Sequence, residues 1–323
     1  MLMANFGLLL EHLPSPLEPL NIPWLADKGL RLIVKRDDLL HWPGAPAFGG
    51  NKWRKLKYNL LEAKQLGHSH LLTIGGAYSN HLAAVAAAGK ALGFRTTGIV
   101  RGDQPTQALS PTLAYVTGCG MQLHYCQRGA FRQLRDPVFA NDYLQSFEPH
   151  YYLPEGGTNG LAMEGCAELA REMLSQTNTG KPLLIAVACG TGGTLAGILK
   201  GLEGRAQAMG IATLKGGFLG NEVSKLIQKY TDGIREEIVI AGDYHFGGYA
   251  RVTPALLSFI REFRSQHGIV LDPVYTGKLF YGLLDLAHKD YFEPGTTLIG
   301  IHTGGLQGNA GFPDLFTTLE SPR

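Results

Sequence analysis

The sequence predicts an α/β fold made of two open, twisted, mostly parallel sheets that meet at a cleft. Three observations carry this prediction. The chain has 323 residues, more than one hydrophobic core usually serves. Short apolar runs alternate with helical patterns, the rhythm of parallel βαβ units. That rhythm occurs twice, over 71–125 and again over 182–305.

The elements follow in chain order. R-L-I-V-K-R (31–36) is strand-like, and Asp37 and Asp38 come after it. Adjacent residues on an extended chain face opposite ways, so these two acids read as structural and not as a proton-sharing pair. L-L-T-I-G-G (71–76) reads as a buried strand, 79–93 as the helix behind it, and R-T-T-G-I-V-R-G (95–102) as the next strand. A helix over 110–120 stops at a glycine, and M-Q-L-H-Y (121–125) is a further strand. In the second half, P-L-L-I-A-V-A-C (182–189) runs into G-T-G-G-T and a helix over 194–202. Strands over 237–242 and 296–305 flank a helix over 254–268. Ligands of such sheets bind beyond the carboxyl ends of the strands.

Composition narrows the function. With 45% hydrophobic and 17% charged residues the chain reads as a soluble globular protein with a large core. A net charge of +2 with no long basic run argues against nucleic acid. The first residues lack the basic start of a signal peptide, and no apolar stretch is long enough to span a bilayer. Cys119, Cys126, Cys166 and Cys189 form no CxxC pair and no metal spacing. They read as reduced thiols of a cytoplasmic protein with no metal site.

Two stretches carry chemistry. In C-G-T-G-G-T-L-A-G (189–197) a buried strand meets a helix through three glycines and two threonines. Converging backbone N–H groups at a helix N-terminus suit a phosphate, although the loop alone could be a tight turn. It is neither a P-loop nor a dinucleotide fingerprint. In F-G-G-N-K-W-R-K (48–55) a lysine stands at a helix start, where the macrodipole disfavours cations. Alone, Lys52 reads as a solvated basic turn. Arg54, Lys55 and the helix dipole would also lower its pKa, and a neutral lysine forms a Schiff base with an aldehyde and later acts as a base. Pyridoxal phosphate has one aldehyde and one phosphate ester, which matches one lysine and one cradle.

The chain resembles the 1-aminocyclopropane-1-carboxylate deaminase and D-cysteine desulfhydrase family of fold-type II pyridoxal-phosphate enzymes, whose fold is like the tryptophan synthase β chain. The resemblance rests on K-R-D-D (35–38), F-G-G-N-K-W-R-K (48–55), G-G-A-Y-S-N-H (75–81), P-E-G-G-T-N (154–159), G-T-G-G-T-L-A-G (190–197), D-P-V-Y-T-G-K (272–278) and H-T-G-G (302–305), in family order. It implies pyridoxal 5'-phosphate in the interdomain cleft and Lys52 as its Schiff-base lysine. It further implies Asn80 on the ring oxygen, and Lys55 with Gly190, Thr191, Gly192, Gly193 and Thr194 on the phosphate. Ser79, Tyr249 and Tyr275 would face the substrate, and Thr276 the pyridine nitrogen. A small α/β domain over 52–156 would interrupt a large cofactor-binding domain over 1–51 and 157–323. The family commonly forms homodimers.

Deaminase-type members carry a glutamate where this chain has Thr276. A hydroxyl cannot neutralise a protonated pyridine, so the electron sink is weaker and β-elimination is favoured. His81 and Thr303 also follow the desulfhydrase pattern, although His81 reads equally as a polar residue on the helix surface. The expected reaction is α,β-elimination on a small amino acid, first D-cysteine, giving pyruvate, sulfide and ammonia. Deamination of 1-aminocyclopropane-1-carboxylate or of another small amino acid is the alternative, and a pyridoxal-phosphate carrier is the non-enzymatic one. Tyr78, the A-R-V-T-P-A-L stretch after Tyr249 and the L-Q-G-N run at Gln307 depart from the family and leave the substrate open.

Overall fold

In a computed structural model, which describes residues 6–9, 14–134, 136–147, 149–177, 182–233 and 237–315, the alternating runs assemble into two main sheets. The strands are β1 (Leu17–Pro19), β2 (Arg31–Lys35), β3 (His41–Trp42), β4 (Ala45–Gly49), β5 (His70–Gly75), β6 (Arg95–Arg101), β7 (Gln122–Cys126), β8 (Tyr151–Leu153), β9 (Leu183–Cys189), β10 (Gln207–Ala212), β11 (Val239–Ala241) and β12 (Thr297–Ile301). The larger sheet has the order β1-β2-β12-β9-β10-β11, and the smaller β7-β6-β5-β8. All neighbours are parallel except β1 and β2. β3 and β4 form a separate antiparallel hairpin. The larger sheet takes β1 and β2 from the start of the chain and β9 to β12 from beyond residue 182, so the smaller sheet is an insertion.

Helices cover both faces of each sheet, and this explains why its central strands are buried over most of their length. Every residue of β5 and of β12 is buried. One core joins the hairpin, helix Gly50–Gln65 and the alanine-rich helix Asn80–Leu92 to the smaller sheet, through Phe48, Trp53, Leu60 and Val85. Two cores lie on the faces of the larger sheet, around Phe280 and Leu298 on one side and Ile185 and Leu199 on the other.

Caps set the helix ends. Ser79 Oγ accepts from Leu82 N at 3.2 Å, and Gly93 closes the same helix in the left-handed region. Thr253 and Gly268 do the same for Pro254–His267. The sequence-predicted strand over 296–305 ends at Ile301, because Gly304 and Gly305 take positive φ and turn the chain into the cleft. β10 was not expected: it is short and contains Gly210, whose missing side chain admits Ile240 and Leu195. Helices Gly160–Gln176, Leu219–Tyr230 and Thr276–His288 also went unpredicted. Among the described residues no helix is long and apolar enough to cross a membrane.

Candidate active site

The carboxyl ends of β5, β9 and β12 and the N-termini of three helices open onto one cavity of about 1320 Å³. Lys52, Lys55, Ser79, Asn80, His81, Gly190, Thr191, Gly192, Thr194, Tyr249 and Tyr275 all line it. Of the sequence-predicted site residues, only Gly193 and Thr276 do not.

The start of helix Gly50–Gln65 is held against the β12 turn. Gly50 has φ +58°, and a methyl group there would lie 2.1 Å from the Thr303 carbonyl oxygen. Only glycine permits this approach, and Asn51 N then donates to that same carbonyl at 3.1 Å. Lys52 follows one residue later and reaches the cavity. Its Nζ makes a single long contact, 3.4 Å to Gly156 O. The exposure it keeps is to the cavity. Burial pushes its pKa down to about 7, and the Lys55 charge adds to the shift. The sequence reading named Arg54 as a contributor, but Arg54 points to the other side of the helix. There it donates to Asp37 Oδ1 at 2.9 Å and to Glu172 Oε2 at 2.7 Å.

Lys55 is more firmly held. It donates to Gly156 O at 2.7 Å and to Thr158 Oγ1 at 3.0 Å, and burial lowers its pKa to about 8. Its Nζ would be 3.2 Å from a methyl group on Gly193. Lys55 therefore stands directly at the start of helix Gly193–Leu202, where Gly192 (φ +81°) turns the glycine loop into the helix. Thr191 and Thr158 share a hydrogen bond of 2.9 Å there, and Asn51 Nδ2 donates to Thr194 Oγ1 at 3.4 Å. A helix N-terminus, three threonine hydroxyls and an ammonium group make a donor set that suits a phosphate ester. With Lys52 beside them on the same Gly156 carbonyl, these residues fit pyridoxal 5'-phosphate.

On the opposite wall Ser79 accepts a helix N–H through Oγ and keeps its proton to donate. The Asn80 amide lies against Gly305, and its Oδ1 accepts from Gln307 Nε2 at 3.0 Å. His81 is no surface residue: it is 2% exposed, and its ring packs on Gly157. Burial and the charges of Lys52 and Lys55 keep it neutral, against the opposing pull of the Pro154 carbonyl.

Tyr249 and Tyr275 meet edge to face with centroids 6.4 Å apart. Burial raises both pKa values, so both remain neutral phenols at neutral pH. Lys278, fully buried, holds the loop before Tyr249 by donating to the carbonyls of His245 and Gly248, each at 2.8 Å. Thr276 is fully buried, and its hydroxyl donates to Asp272 Oδ2 at 2.6 Å while accepting from Asp272 N at 2.8 Å.

The other candidates are structural. His302 is fully buried, with Nε2 2.6 Å from Val270 O and Nδ1 accepting from Gly304 N. Asp37 pairs with Arg54, whereas Asp38 pairs with Arg36. Sequence reasoning missed Thr158, whose only signal was its place in P-E-G-G-T-N, and Arg101, an arginine closing an apolar strand onto the cavity.

Comparison with known proteins agrees with this geometry. A D-cysteine desulfhydrase of Klebsiella pneumoniae is 30% identical over 310 residues, covering 90% of this chain and 92% of that protein. The bifunctional D-cysteine desulfhydrase/1-aminocyclopropane-1-carboxylate deaminase of Arabidopsis thaliana mitochondria is 32% identical over 324 residues, covering 93% of this chain and 78% of its own. The crystal structure of an ACC deaminase homologue superposes with a TM-score of 0.79 at 29% identity, covering 96% of this chain and 97% of that one. The family model described as pyridoxal-phosphate dependent enzyme matches residues 8–304, and the chain belongs to that family, among the relatives of D-cysteine desulfhydrase and 1-aminocyclopropane-1-carboxylate deaminase.

Proposed function

We propose that this pyridoxal-phosphate dependent lyase carries out α,β-elimination on a small amino acid, first D-cysteine, releasing pyruvate, sulfide and ammonia. The observation behind this is one cavity that joins a half-neutral lysine to a phosphate cradle and two neutral phenols. Bound there, the cofactor supplies an electron sink that acidifies the substrate's Cα–H. Lys52, partly unprotonated at neutral pH, takes that proton. Lys55 and the 190–194 loop hold the phosphate, and Asn80 faces the ring. Ser79 orients the substrate carboxylate. The Cβ–S bond breaks with both electrons on sulfur, and Tyr249 or Tyr275 is placed to donate to it. The remaining fragment hydrolyses to pyruvate and ammonia. The same reading puts the enzyme in the cytoplasm, where its four free thiols stay reduced, as a homodimer.

The test is 2-oxoacid release by the cofactor-loaded protein. Pyruvate and sulfide are expected from D-cysteine, and no 2-oxobutyrate from 1-aminocyclopropane-1-carboxylate. 2-Oxobutyrate as the faster product would move the chain to the deaminase side.

The Lys52 shift has its own consequence. The neutral amine grows as pH rises through the pKa, so cofactor uptake by the apoprotein should rise with a midpoint near 7 and then level off. A lysine near its usual ~10.4 would instead give a rate still climbing about tenfold per unit at about pH 9. Stopped-flow uptake across the neutral range separates the two.

A further inference from the structure

The cavity is larger than a cofactor and D-cysteine require. Its volume of about 1320 Å³ exceeds the roughly 300–1,000 Å³ of most ligand pockets. It continues along the smaller sheet, where Ile74, Phe131, Leu134 and Ala140 give it an apolar wall. One cation stands on that wall. Arg101 ends β6, and its guanidinium lies over the Phe131 ring, 5.7 Å from the centroid. Its Nη2 also crosses Gly76, where a methyl group would come within 3.3 Å, three residues before Ser79. Arg101 is close enough to Tyr249 to favour the ionised form of that phenol.

The other cations around the cavity are engaged. Lys52 and Lys55 contact the Gly156 carbonyl, Lys225 pairs with Glu222, and Lys229 lies over the Tyr230 ring. Arg101 makes no hydrogen bond and no ion pair among the described residues. Glu155 lines the same cavity, and its charge reaches Tyr249 as well. An arginine stacked on an aromatic ring and left with its fork of donors unpaired is built for a carboxylate or a similar planar anion.

We infer that Arg101 binds a second anionic group of the substrate, so that the preferred substrate is an α-amino acid whose β-substituent ends in a carboxylate or a comparable anion. This rests on the lyase reading of the same site. The β-substituent would run from Tyr249 past Gly76, with its apolar part against Phe131 and its anion on the guanidinium. The elimination keeps its balance: the Cα proton goes to Lys52, the Cβ–S bond breaks, and the sulfur leaves with the electron pair and its anionic tail. Water then converts the remainder to pyruvate and ammonia.

The test uses the holoenzyme with S-carboxymethyl-cysteine and its neutral isostere S-carbamoylmethyl-cysteine, each as D and L forms. Binding is read from the cofactor's absorption and turnover from pyruvate. The carboxylate compound should be preferred by about tenfold or more in half-saturation and in kcat/KM, the scale of one hydrogen-bonded charge. In Arg101→Gln the two compounds should become about equal, and in Arg101→Lys part of the preference should survive. The cofactor's absorption shows that each variant is folded and loaded. Equal use of the two compounds by the parent protein, or an undiminished preference in Arg101→Gln, overturns the assignment while leaving the lyase reading intact. A spectral preference for the carboxylate without pyruvate from any compound supports the anion site and removes the lyase reading.

Discussion

Lys52→Ala is expected to yield a folded protein that lacks the absorption of a covalently held cofactor and has no measurable lyase activity. Two lysines compete for that role. Lys52 and Lys55 lie one turn apart on the same helix, face the same cavity and both have lowered pKa values. Their surroundings separate them. Lys55 has two short hydrogen bonds beside the start of helix Gly193–Leu202, a fixed position suited to a phosphate. Lys52 has one contact of 3.4 Å and the lower pKa, and so is the one able to bend toward a carbonyl and to take a proton. A positioned base alone is worth about 10²–10⁴ in rate, so the loss at Lys52 should reach at least ~10³-fold. Lys55→Met should instead weaken cofactor binding and leave measurable turnover when cofactor is in excess. The absorption spectrum and single-turnover rates of both variants decide the matter. A Lys52→Ala protein with the parental spectrum would transfer the role to Lys55. Stability should not fall, because the change removes an ammonium group that burial already disfavours.

Much of this site could be read from the chain because its parts are local. The 190–197 loop, the Ser79 cap and the lysine at a glycine-flanked helix start are each contained in a few residues, and each has a physical signature. What the sequence hid depends on distant neighbours. The low pKa of Lys52 was anticipated from the cations beside it, yet burial is the larger cause, and burial comes from segments around residues 156 and 166. Arg54 looked like part of that basic cluster, but its partners Asp37 and Glu172 lie 17 and 118 positions away. His81 read equally as part of the desulfhydrase pattern and as a polar residue on the helix surface, and its burial against Gly157 was not visible in the chain. For Thr276 the sequence showed the residue type. The structure adds that its hydroxyl proton is given to Asp272, so a carboxylate stands one hydrogen bond behind Thr276. β10 escaped notice because a glycine interrupts a short run, and only its neighbours β9 and β11 make it a strand.

Glu172→Gln should be the most destabilising single change near the site, although residue 172 touches neither the cavity nor the cofactor-binding loop. Glu172 is 3% exposed and joins two cations from different parts of the chain. Arg54 donates to Glu172 Oε2 at 2.7 Å, and Lys35 pairs with Oε1. Lys35 also donates to Ser15 O at 2.6 Å and to Gln176 Oε1 at 2.7 Å, while Ser15 Oγ donates to Asp37 Oδ1 at 2.6 Å. Two carboxylates balance two cations in a region closed to water. The cluster ties β2 to helix Gly160–Gln176 and to the helix that carries Lys52 and Lys55. Those two helices pack so closely that a methyl group on Gly165 would lie 1.8 Å from the Arg54 carbonyl oxygen, so the Lys52 helix cannot shift to relieve a lost charge. Neutralising Glu172 leaves one of the two cations without a counter-ion in the interior. Breaking a buried pair in this way costs about 3–5 kcal/mol, because the remaining charge cannot be rehydrated. The half-buried Lys200–Glu164 pair, which water still reaches, provides the contrast, since Glu164→Gln should cost about 1 kcal/mol or less. Urea unfolding followed by far-UV circular dichroism measures both. Cofactor uptake by Glu172→Gln should also slow, because the same cluster anchors the helix that presents Lys52. An unfolding midpoint no lower than that of Glu164→Gln would show that the cluster does not hold this helix in place.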